Sequence, residues 1–441
     1  MEEIERVSTS RSNGTDPADP ISLRLLPLGC GIGRDGALWI RGQKVSDLVR
    51  EFGSPLFIYD EEQIRSRARE LKELFDGDVA YASKAFLCKA MARLVDEEGL
   101  HIDVASGGEL SVALSAGFPA ERIVMHGNNK SIAELELAVE SGVGRIVIDS
   151  FDEIDRLEEL VPRGGSVKVW IRVTPGVEAH THEFVMTGQD DSKFGFGLLS
   201  GDAKLALDRL RTSKNLELVG LHAHIGSQIF ALESFVKEVE VLAPFFASSG
   251  VEELNFGGGL GVPYVADEPE IEFSDWAKAL KESARAAGIP ETARVMVEPG
   301  RSLVGPAAIT VYEVGTIKQI PGIRTYVSVD GGMSDNPRPV LYDSGYETFS
   351  VDNVLARRDW RVTVVGKHCE SGDVLVKDGQ LPSSTRIGDL IATPVTGAYG
   401  YSMASNYNKV GRPAVVFVNN EGYRLVLRRE TVSDLLSLDM G

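Results

Sequence analysis

Short apolar runs alternate with longer charged, helix-like segments over the middle of the chain. The alternation begins with Leu56–Tyr59 and the charged segment from Glu61 to Phe75. Eight β-prone runs follow, with helical patterns such as Ala90–Glu98 and Ser131–Ser141 between them. The runs are Val79–Ser83, His101–Ala105, Arg122–His126, Arg145–Asp149, Val167–Val173, Val219–His224, Glu253–Phe256 and Arg294–Glu298. Strands that alternate with crossover helices are typical of parallel sheets, so eight such units predict an α/β fold with a (β/α)8 TIM barrel.

The pattern changes after about Pro306, where short β-rich runs separated by turn residues replace the long helical patterns. These runs are Ala308–Val314, Thr325–Val329, Arg361–Val365, Asp389–Thr393, Val415–Val418 and Tyr423–Leu427. They predict a C-terminal β-sandwich or β-barrel domain, completed by N-terminal residues around Leu25–Ile40. The predicted organisation is a loose tail over 1–20, an N-terminal part of the β domain over 21–55, the barrel over 56–306 and the C-terminal β domain over 307–441.

Composition narrows the class of protein without naming a function. The 441 residues fit two domains when one is a large barrel, and 43% hydrophobic with 25% charged residues is ordinary for a globular protein. The formal charge of −19 disfavours nonspecific binding to nucleic acid or anionic lipid. No apolar stretch approaches the roughly 18 to 20 residues of a transmembrane helix. We therefore expect neither a nucleic acid nor a membrane as partner.

The cysteines and histidines predict no metal site. Cys30, Cys88 and Cys369 are too few and too scattered for a disulfide framework or a thiolate metal centre, which favours a reducing cytoplasm. The first twenty residues lack the apolar centre of a signal peptide. His180 and His182 lie in the long fifth-to-sixth connection without a clear third ligand, so their spacing is only a weak indication of metal binding.

Polar residues follow the predicted barrel strands, at the end where (β/α)8 barrels place their active sites. They are Lys84, Ser106–Glu109, His126–Asn129, His224–Ser227, Gly257–Gly259 and Glu298–Arg301. Each has an ordinary explanation by itself. A lysine at a strand end is usually a solvated charge, three glycines usually form a tight turn, and a histidine in an apolar run is usually a hydrogen-bonded core residue.

Together these residues supply what a pyridoxal phosphate enzyme requires. Such an enzyme needs an amine for the cofactor's aldehyde, a phosphate cradle, a face for the ring and a carboxylate for the pyridine nitrogen. Glycines leave backbone N–H groups open to a phosphate, although this signal is weak by itself. Glu298 is the candidate carboxylate, because it would keep the pyridine nitrogen protonated and the ring electron-accepting.

These and further motifs resemble the meso-diaminopimelate decarboxylases, a family of the barrel-plus-β-domain class that also includes alanine racemases and basic amino acid decarboxylases. The resemblance covers nearly everything after the first twenty or so residues. Its motifs are Tyr81–Ala85, Asp103–Leu110, His222–Gln228, Glu298–Arg301, Asn336–Tyr342, Cys369–Asp373 and Gly397–Tyr399.

The resemblance implies roles for individual residues. Lys84 would attach pyridoxal 5'-phosphate, and His224 would stack on its ring. The implied phosphate-binding residues are Ser227, Gly257, Gly258, Gly259 and Gly300, with Tyr399 near both phosphate and substrate. Arg301, next to Gly300 at the cofactor, is also an implied substrate contact.

The remaining implied roles concern the substrate and a partner subunit. Arg338 and Tyr342 would contact the substrate; they are four apart and share a face if the stretch is helical, although Pro339 makes a loop equally plausible. Cys369 and Glu370 would be contributed by the partner subunit of a homodimer, with Cys369 as proton donor to Cα. An isolated cysteine is most often a small buried hydrophobe, but the titratable neighbours of Cys369 favour the chemical role.

The implied reaction is decarboxylation of meso-2,6-diaminopimelate at its D-centre to L-lysine and CO2, the last step of lysine biosynthesis. One alternative is decarboxylation of lysine, ornithine or arginine on the same scaffold. Glu370 directly after Cys369, together with the arginines, favours the substrate with the additional carboxylate. A racemase, and a catalytically inactive relative that binds a partner protein, are less favoured because the decarboxylase motifs and cofactor contacts are retained.

Overall fold

The computed structural model describes residues 16–76, 78–162, 164–177 and 192–441, and the backbone of the strand Glu5–Arg6. The chain forms two compact units. The barrel unit comprises the described parts of Arg67–Gly261 and Glu270–Ser302. The β unit comprises those of Met1–Ser66, Val262–Pro269 and Leu303–Gly441.

The barrel unit contains eight parallel strands that pair in chain order. They are Ala80–Ala82, His101–Val104, Ile123–Met125, Arg145–Ile148, Val167–Thr174, Leu216–His222, Glu253–Asn255 and Arg294–Met296. Val79 bridges in parallel with Val297, and the Ala80 N–H donates to the Val297 carbonyl over 2.9 Å, so the last strand meets the first. The predicted (β/α)8 barrel is confirmed, and each of the eight predicted runs overlaps one barrel strand.

The segments between these strands form helices. They are Lys89–Glu97, Gly107–Ser115, Ile132–Ser141, Phe151–Leu160, Asp202–Arg211, Leu232–Ser249 and Phe273–Ala286. Two more helices, Glu61–Leu74 and Arg301–Val304, cross the boundaries of the unit. A short additional strand, Phe196–Gly197, pairs with the fifth barrel strand. Serine begins three of the helices because its hydroxyl accepts a backbone N–H of the first turn. Ser131 also forms a capping box with Glu134, and Gly142 ends that helix in the left-handed conformation.

The barrel strands are buried, and their two ends carry different polar groups. Val124, Val147, Trp170 and Met296 pack together in one apolar cluster. At the start of the seventh strand, the Glu253 carboxylate accepts hydrogen bonds from Arg145 Nε and Trp170 Nε1, each over 2.7 Å. In a TIM barrel this amino-terminal end serves stability, whereas the carboxyl-terminal end carries the chemistry.

The β unit contains a small sheet and a large one. The strands of the small sheet are Glu5–Arg6, Cys30–Ile32, Leu38–Ile40 and Gln43–Lys44. Those of the large sheet are Leu56–Asp60, Ala308–Ile320, Arg324–Val329, Phe349–Ser350, Trp360–Val365, Val374–Leu381, Leu390–Pro394, Ala414–Asn419 and Gly422–Leu427. The α-helices within this unit are Val45–Phe52, Arg338–Tyr342 and Val432–Leu436. Most of the strand pairs are antiparallel, which confirms the predicted β-rich domain.

Single 3-10 turns complete the described elements. They are Leu23–Leu25, Ser83–Ala85, Ala120–Arg122, Gly305–Ala307, Tyr401–Met403 and Tyr407–Lys409. Within the described parts of the chain, no helix is both long and apolar enough to cross a membrane.

The strand Leu56–Asp60 differs from its expected place at the start of the barrel. It pairs antiparallel with Ala308–Ile320 and parallel with Ala414–Asn419, both in the large sheet of the β unit. All five of its residues are buried. A short, largely apolar run of this kind fits a strand of the barrel and a strand of the β unit equally well. The β unit therefore extends to Ser66, beyond the expected boundary at 55, and Val262–Pro269 belongs to it as well. The predicted contribution of N-terminal residues is confirmed, because Leu25 and Ile40 lie in the apolar core of this unit.

Candidate active site

Lys84 lies directly beyond the first barrel strand, in the 3-10 turn Ser83–Ala85. Its neighbours Ser83 and Ala85 are buried, whereas Lys84 itself is exposed. The Tyr81 hydroxyl donates to the Phe86 carbonyl over 2.7 Å and braces the turn. The fold thus presents the lysine amine at the carboxyl-terminal end of the barrel.

Glu298 lies beyond the eighth strand and is held by three side chains from other strands. Its Oε1 is 2.9 Å from His126 Nε2 and 2.8 Å from Asn255 Nδ2, and its Oε2 is 3.0 Å from His222 Nε2. The carboxylate is only 6% exposed. Three hydrogen bonds therefore fix both oxygens of a buried carboxylate in one orientation.

The electrostatics of this cluster keep Glu298 ionised. Burial by itself would raise the pKa of Glu298, but His126 and His222 outweigh it and hold the pKa well below its usual range. Burial lowers the pKa of His126, yet the charges of Glu298 and Asp103 raise it above its ordinary value. Burial lowers the pKa of His222 to about 4 despite Glu298, so His222 is a neutral donor to the carboxylate. The cluster thus combines an anionic Glu298 with one histidine whose pKa is raised and one histidine that is neutral.

The three groups also lie within reach of a single metal ion, since the ligand atoms of His126, His222 and Glu298 are within 4.8 Å of one another. Each ring nitrogen, however, is at hydrogen-bond distance from a carboxylate oxygen. We therefore interpret the group as a carboxylate fixed by two imidazoles.

His224 follows the sixth strand and has a defined tautomer. Burial, followed by the charges of Lys84 and Arg172, lowers the pKa of His224 well below its ordinary value. Its Nδ1 accepts the backbone N–H of Gly258 over 3.3 Å, so Nε2 carries the proton of the neutral ring. A neutral, half-buried imidazole fixed by backbone is suited to stacking on an aromatic ligand.

The loop after the seventh strand requires its glycines. Gly257 and Gly259 have φ angles of +63° and +106°, a region that L side chains rarely adopt. A Cβ at Gly258 would lie 2.2 Å from the Glu298 carbonyl oxygen, and one at Gly300 would lie 3.0 Å from the Ala82 Cβ. Backbone from the first, seventh and eighth strand ends therefore converges closely, as a phosphate cradle of N–H groups requires.

These features fit pyridoxal phosphate. Lys84 supplies the amine, His224 a neutral ring face and Glu298 a fixed negative charge, while the glycine loops permit close approach of backbone. A buried carboxylate that stays ionised is costly unless it is paired, and here two histidines and an amide supply the pairing. Ser227, half-buried, and Arg301, the first residue of the helix Arg301–Val304, lie on the same unit.

Arg338 and Tyr342 lie on a helix of the β unit, which settles the choice between helix and loop. The helix Arg338–Tyr342 accommodates Pro339 in its first turn, where a missing N–H has no cost. Arg338 is buried; it donates to Tyr346 Oη over 2.7 Å, and its guanidinium lies 3.9 Å from the centre of the Tyr264 ring. Arg338 is thereby held rigidly, whereas Tyr342 is half-buried.

Cys369 and Glu370 lie on an exposed loop of the β unit, between the strands Trp360–Val365 and Val374–Leu381. Cys369 is exposed, unlike the buried Cys88, so it is not a small core hydrophobe. Tyr399, also in this unit, has a φ of +59°. His180 and His182 lie outside the described residues.

Sequence reasoning gave no role to several residues that the structure brings together. His126, His222 and Asn255 all hold Glu298, and the buried Arg172 lies 3.5 Å from Asp149. A signal was present in the strands. His222 and His224 are two residues apart in the predicted run Val219–His224, the spacing that puts side chains on one face of a strand. Arg172 is a charged residue within an otherwise apolar, buried strand.

The barrel and its strand-end groups define a pyridoxal-dependent enzyme. Consistent with this class, a family described as "Pyridoxal-dependent decarboxylase, pyridoxal binding domain" matches residues 61–305. Curated relatives share 48% identity with the chain: the diaminopimelate decarboxylase of Mycobacterium leprae over 92% of this chain and 90% of that protein, and that of Bacillus subtilis over 92% and 95%. A crystal structure of diaminopimelate decarboxylase from M. jannaschii superposes with a TM-score of 0.86 at 33% identity, covering 94% of this chain and 98% of that one. The chain belongs to the diaminopimelate decarboxylase family.

Proposed function

We propose that the protein decarboxylates meso-2,6-diaminopimelate at its D-configured carbon and releases L-lysine and CO2, as the last step of lysine biosynthesis. The observation that carries the chemistry is the buried, ionised Glu298 at the strand ends of the barrel. The substrate rests on the family, whose curated members are 48% identical to this chain. A related crystal structure of a diaminopimelate decarboxylase was obtained with L-lysine, the proposed product.

Pyridoxal 5'-phosphate, when bound, supplies an electron-accepting ring for the pair released at Cα. Glu298 would hold the proton at the pyridine nitrogen, because an ionised carboxylate accepts a hydrogen bond from that N–H. Lys84 would hold the cofactor through its amine. His224 would offer a neutral ring face to the cofactor, without a second positive charge beside the protonated pyridine nitrogen.

The phosphate is assigned to Ser227, to Gly300 and to the loop Gly257–Gly259. Backbone N–H groups suit this task, because they supply hydrogen bonds without adding bulk. Arg301 lies next to Gly300 and is assigned to the cofactor and the substrate together. Tyr399 is assigned a place near both phosphate and substrate.

The substrate carries two carboxylates and two amines, so its site needs fixed cations and a carboxylate. We assign the cations to Arg301 and Arg338, with Tyr342 as a further contact, because guanidinium groups bind carboxylates through two parallel hydrogen bonds. Glu370 is assigned to an ammonium group, and Cys369 delivers the proton to Cα. Both residues come from the partner subunit of a homodimer in this proposal. A cytoplasmic location accords with Cys30, Cys88 and Cys369, which form no disulfide with one another.

The test is a product assay with meso-diaminopimelate, L-lysine and L-ornithine offered separately to the enzyme with pyridoxal phosphate. We expect lysine from the first substrate and no product from the others. Cadaverine or putrescine would overturn the substrate assignment and favour a diamine-forming decarboxylase. As controls, Lys84→Ala should abolish both turnover and the visible absorbance of the bound cofactor, whereas Lys168→Ala, on an exposed lysine at the opposite end of the barrel, should retain both.

A further inference from the structure

The loop that carries Cys369 is exposed, but the residue before it is buried and fully hydrogen-bonded. His368 is 7% exposed. Its Nε2 lies 2.8 Å from Ser334 Oγ, and its Nδ1 lies 3.1 Å from Asn408 Oδ1. The Tyr407 ring packs against the imidazole with 5.3 Å between ring centres. His368 thus has a single position defined from three sides.

The hydrogen-bond directions in this cluster follow from the backbone. The Cys369 N–H lies 3.4 Å from Asn408 Oδ1, and a backbone N–H can only donate, so the oxygen of the amide faces both Cys369 and His368. Nδ1 of His368 must then carry a proton. His368 and the Cys369 peptide therefore both donate to Asn408, while Nε2 of His368 lies at hydrogen-bond distance from the Ser334 hydroxyl.

The base of the same loop is fixed by Asp373. Its two carboxylate oxygens accept the backbone N–H groups of His368, over 2.9 Å, and of Met333, over 2.6 Å. The Asp373 N–H donates in turn to the Glu370 carbonyl over 3.1 Å. The Lys367–His368 peptide is thus held by Asp373, and the next peptide, His368–Cys369, is held by Asn408. Cys369 and Glu370 are exposed side chains on a constrained backbone.

We propose that His368 and Asn408 are positioning residues for the Cys369–Glu370 pair. By fixing the Cys369 peptide, they set the direction from which the thiol delivers its proton to Cα and the direction of the Glu370 carboxylate. This inference rests on the proposed function. Its physical reason is that proton transfer requires the donor within hydrogen-bond reach of the acceptor atom, and a displacement of about 1 Å can cost on the order of a hundredfold in rate.

Two amide replacements of His368 test the two nitrogens of its imidazole separately. The side-chain amide of His368→Asn can occupy the place of Nδ1 and still donate to Asn408, whereas that of His368→Gln reaches the place of Nε2 and loses Asn408. We expect His368→Asn to keep kcat within about threefold of the parent and His368→Gln to lower it by about tenfold to a hundredfold, with smaller changes in KM. A role in packing only would give both variants the same kcat.

Asn408 allows an independent pair of variants, because its φ of +51° favours glycine or asparagine. Asn408→Gly keeps the backbone conformation and removes the acceptor oxygen, whereas Asn408→Asp keeps an acceptor. We expect Asn408→Gly to resemble His368→Gln, and Asn408→Asp to resemble the parent. Equal rates for the glycine and aspartate variants would overturn the role of the acceptor.

The side from which the carbon is protonated can be measured on the product, and this stereochemistry does not depend on how much of the enzyme is folded. Reaction in D2O places one deuterium on the carbon that lost CO2, and NMR of the lysine product shows which of its two positions is labelled. We expect a single labelled position for the parent and His368→Asn, and both positions for His368→Gln and Asn408→Gly. If the parent and all three variants carried the deuterium at the same single position, with kcat unchanged, the positioning role would be overturned. A parent that forms no lysine would instead overturn the proposed function.

Discussion

The charge of Glu298 is testable by a substitution that changes almost no atoms. In Glu298→Gln the amide oxygen can keep the contacts of Oε1 with His126 and Asn255, at 2.9 and 2.8 Å in the parent. The amide NH2 then faces His222 Nε2, which must become an acceptor. His222 can do so by moving its proton to Nδ1, a nitrogen with no hydrogen-bond partner among the described residues. The variant should therefore fold.

The magnitude follows from the three hydrogen bonds and the lost charge. Hydrogen bonds to a charged group contribute about 1.5–3 kcal/mol, compared with about 0.5–1.5 kcal/mol for neutral pairs. The neutral amide of Glu298→Gln is easier to bury than a carboxylate, so the loss of stability should stay near 1–3 kcal/mol. The activity should fall much further, because removal of one preorganised charge-stabilising group costs about 2.7–4 kcal/mol, or about 10²–10³-fold in kcat.

A matched control is available at the opposite end of the same barrel. Burial raises the pKa of Glu253, but Arg145 outweighs this effect and holds the pKa below its ordinary value. Glu253→Gln should therefore lower the midpoint of thermal unfolding while leaving kcat of the folded enzyme within about twofold. Both variants are to be assayed for lysine formation at saturating pyridoxal phosphate, with cofactor occupancy read from visible absorbance. A fully occupied Glu298→Gln enzyme with kcat within about tenfold of the parent would refute the role of the charge.

Two further predictions concern a glycine and a buried carboxyl group. Gly258→Ala should weaken pyridoxal phosphate binding by at least about tenfold, since its Cβ would lie 2.2 Å from a backbone oxygen. Gly315→Ala, whose nearest neighbour would be 3.9 Å away, should leave it unchanged in the same titration; equal affinities would contradict the close approach. Glu238 is fully buried, its oxygens have no partner among the described residues, and burial raises its pKa well above the ordinary value. Its protonated form therefore stabilises the fold below the unfolded pKa of about 4.3, and that stability is lost as pH rises, by up to about 1.4 kcal/mol per pH unit. Glu238→Gln should gain in unfolding free energy relative to the parent between mildly acidic and neutral pH; parallel pH curves would argue against a protonated Glu238.

The strands of the barrel could be predicted because each is a local pattern. A buried parallel strand reads as a short apolar run, and helical segments between such runs leave few other topologies. The strand Val374–Leu381 was missed because Lys377–Gln380 interrupts its apolar pattern. The partner of Leu56–Asp60 could not be read locally, since its neighbours in the sheet lie some 250 and 360 residues further along the chain.

In the candidate site, too, features that are local in the sequence could be predicted, whereas those that depend on distant neighbours could not. Lys84, His224 and Glu298 were predicted because each follows a strand at the end where a barrel places its chemistry. The roles of His126 and Asn255 depend on which strands are neighbours around the ring and on side-chain direction, neither of which composition or spacing reports. The roles assigned to substrate and partner contacts such as Arg338 and Cys369 stay predictions.

The local charges explain how a chain of net charge −19 can suit an anionic cofactor and a dicarboxylate. At the barrel end cationic groups accompany the carboxylates: His126, whose pKa is raised, lies beside Glu298, and the buried Arg172 lies 3.5 Å from Asp149. The excess of acidic side chains is therefore not concentrated in this cluster. Because buried pairs are screened by salt far less than exposed ones, the charge state of Glu298 should depend on its two histidines and hardly on the surface around it.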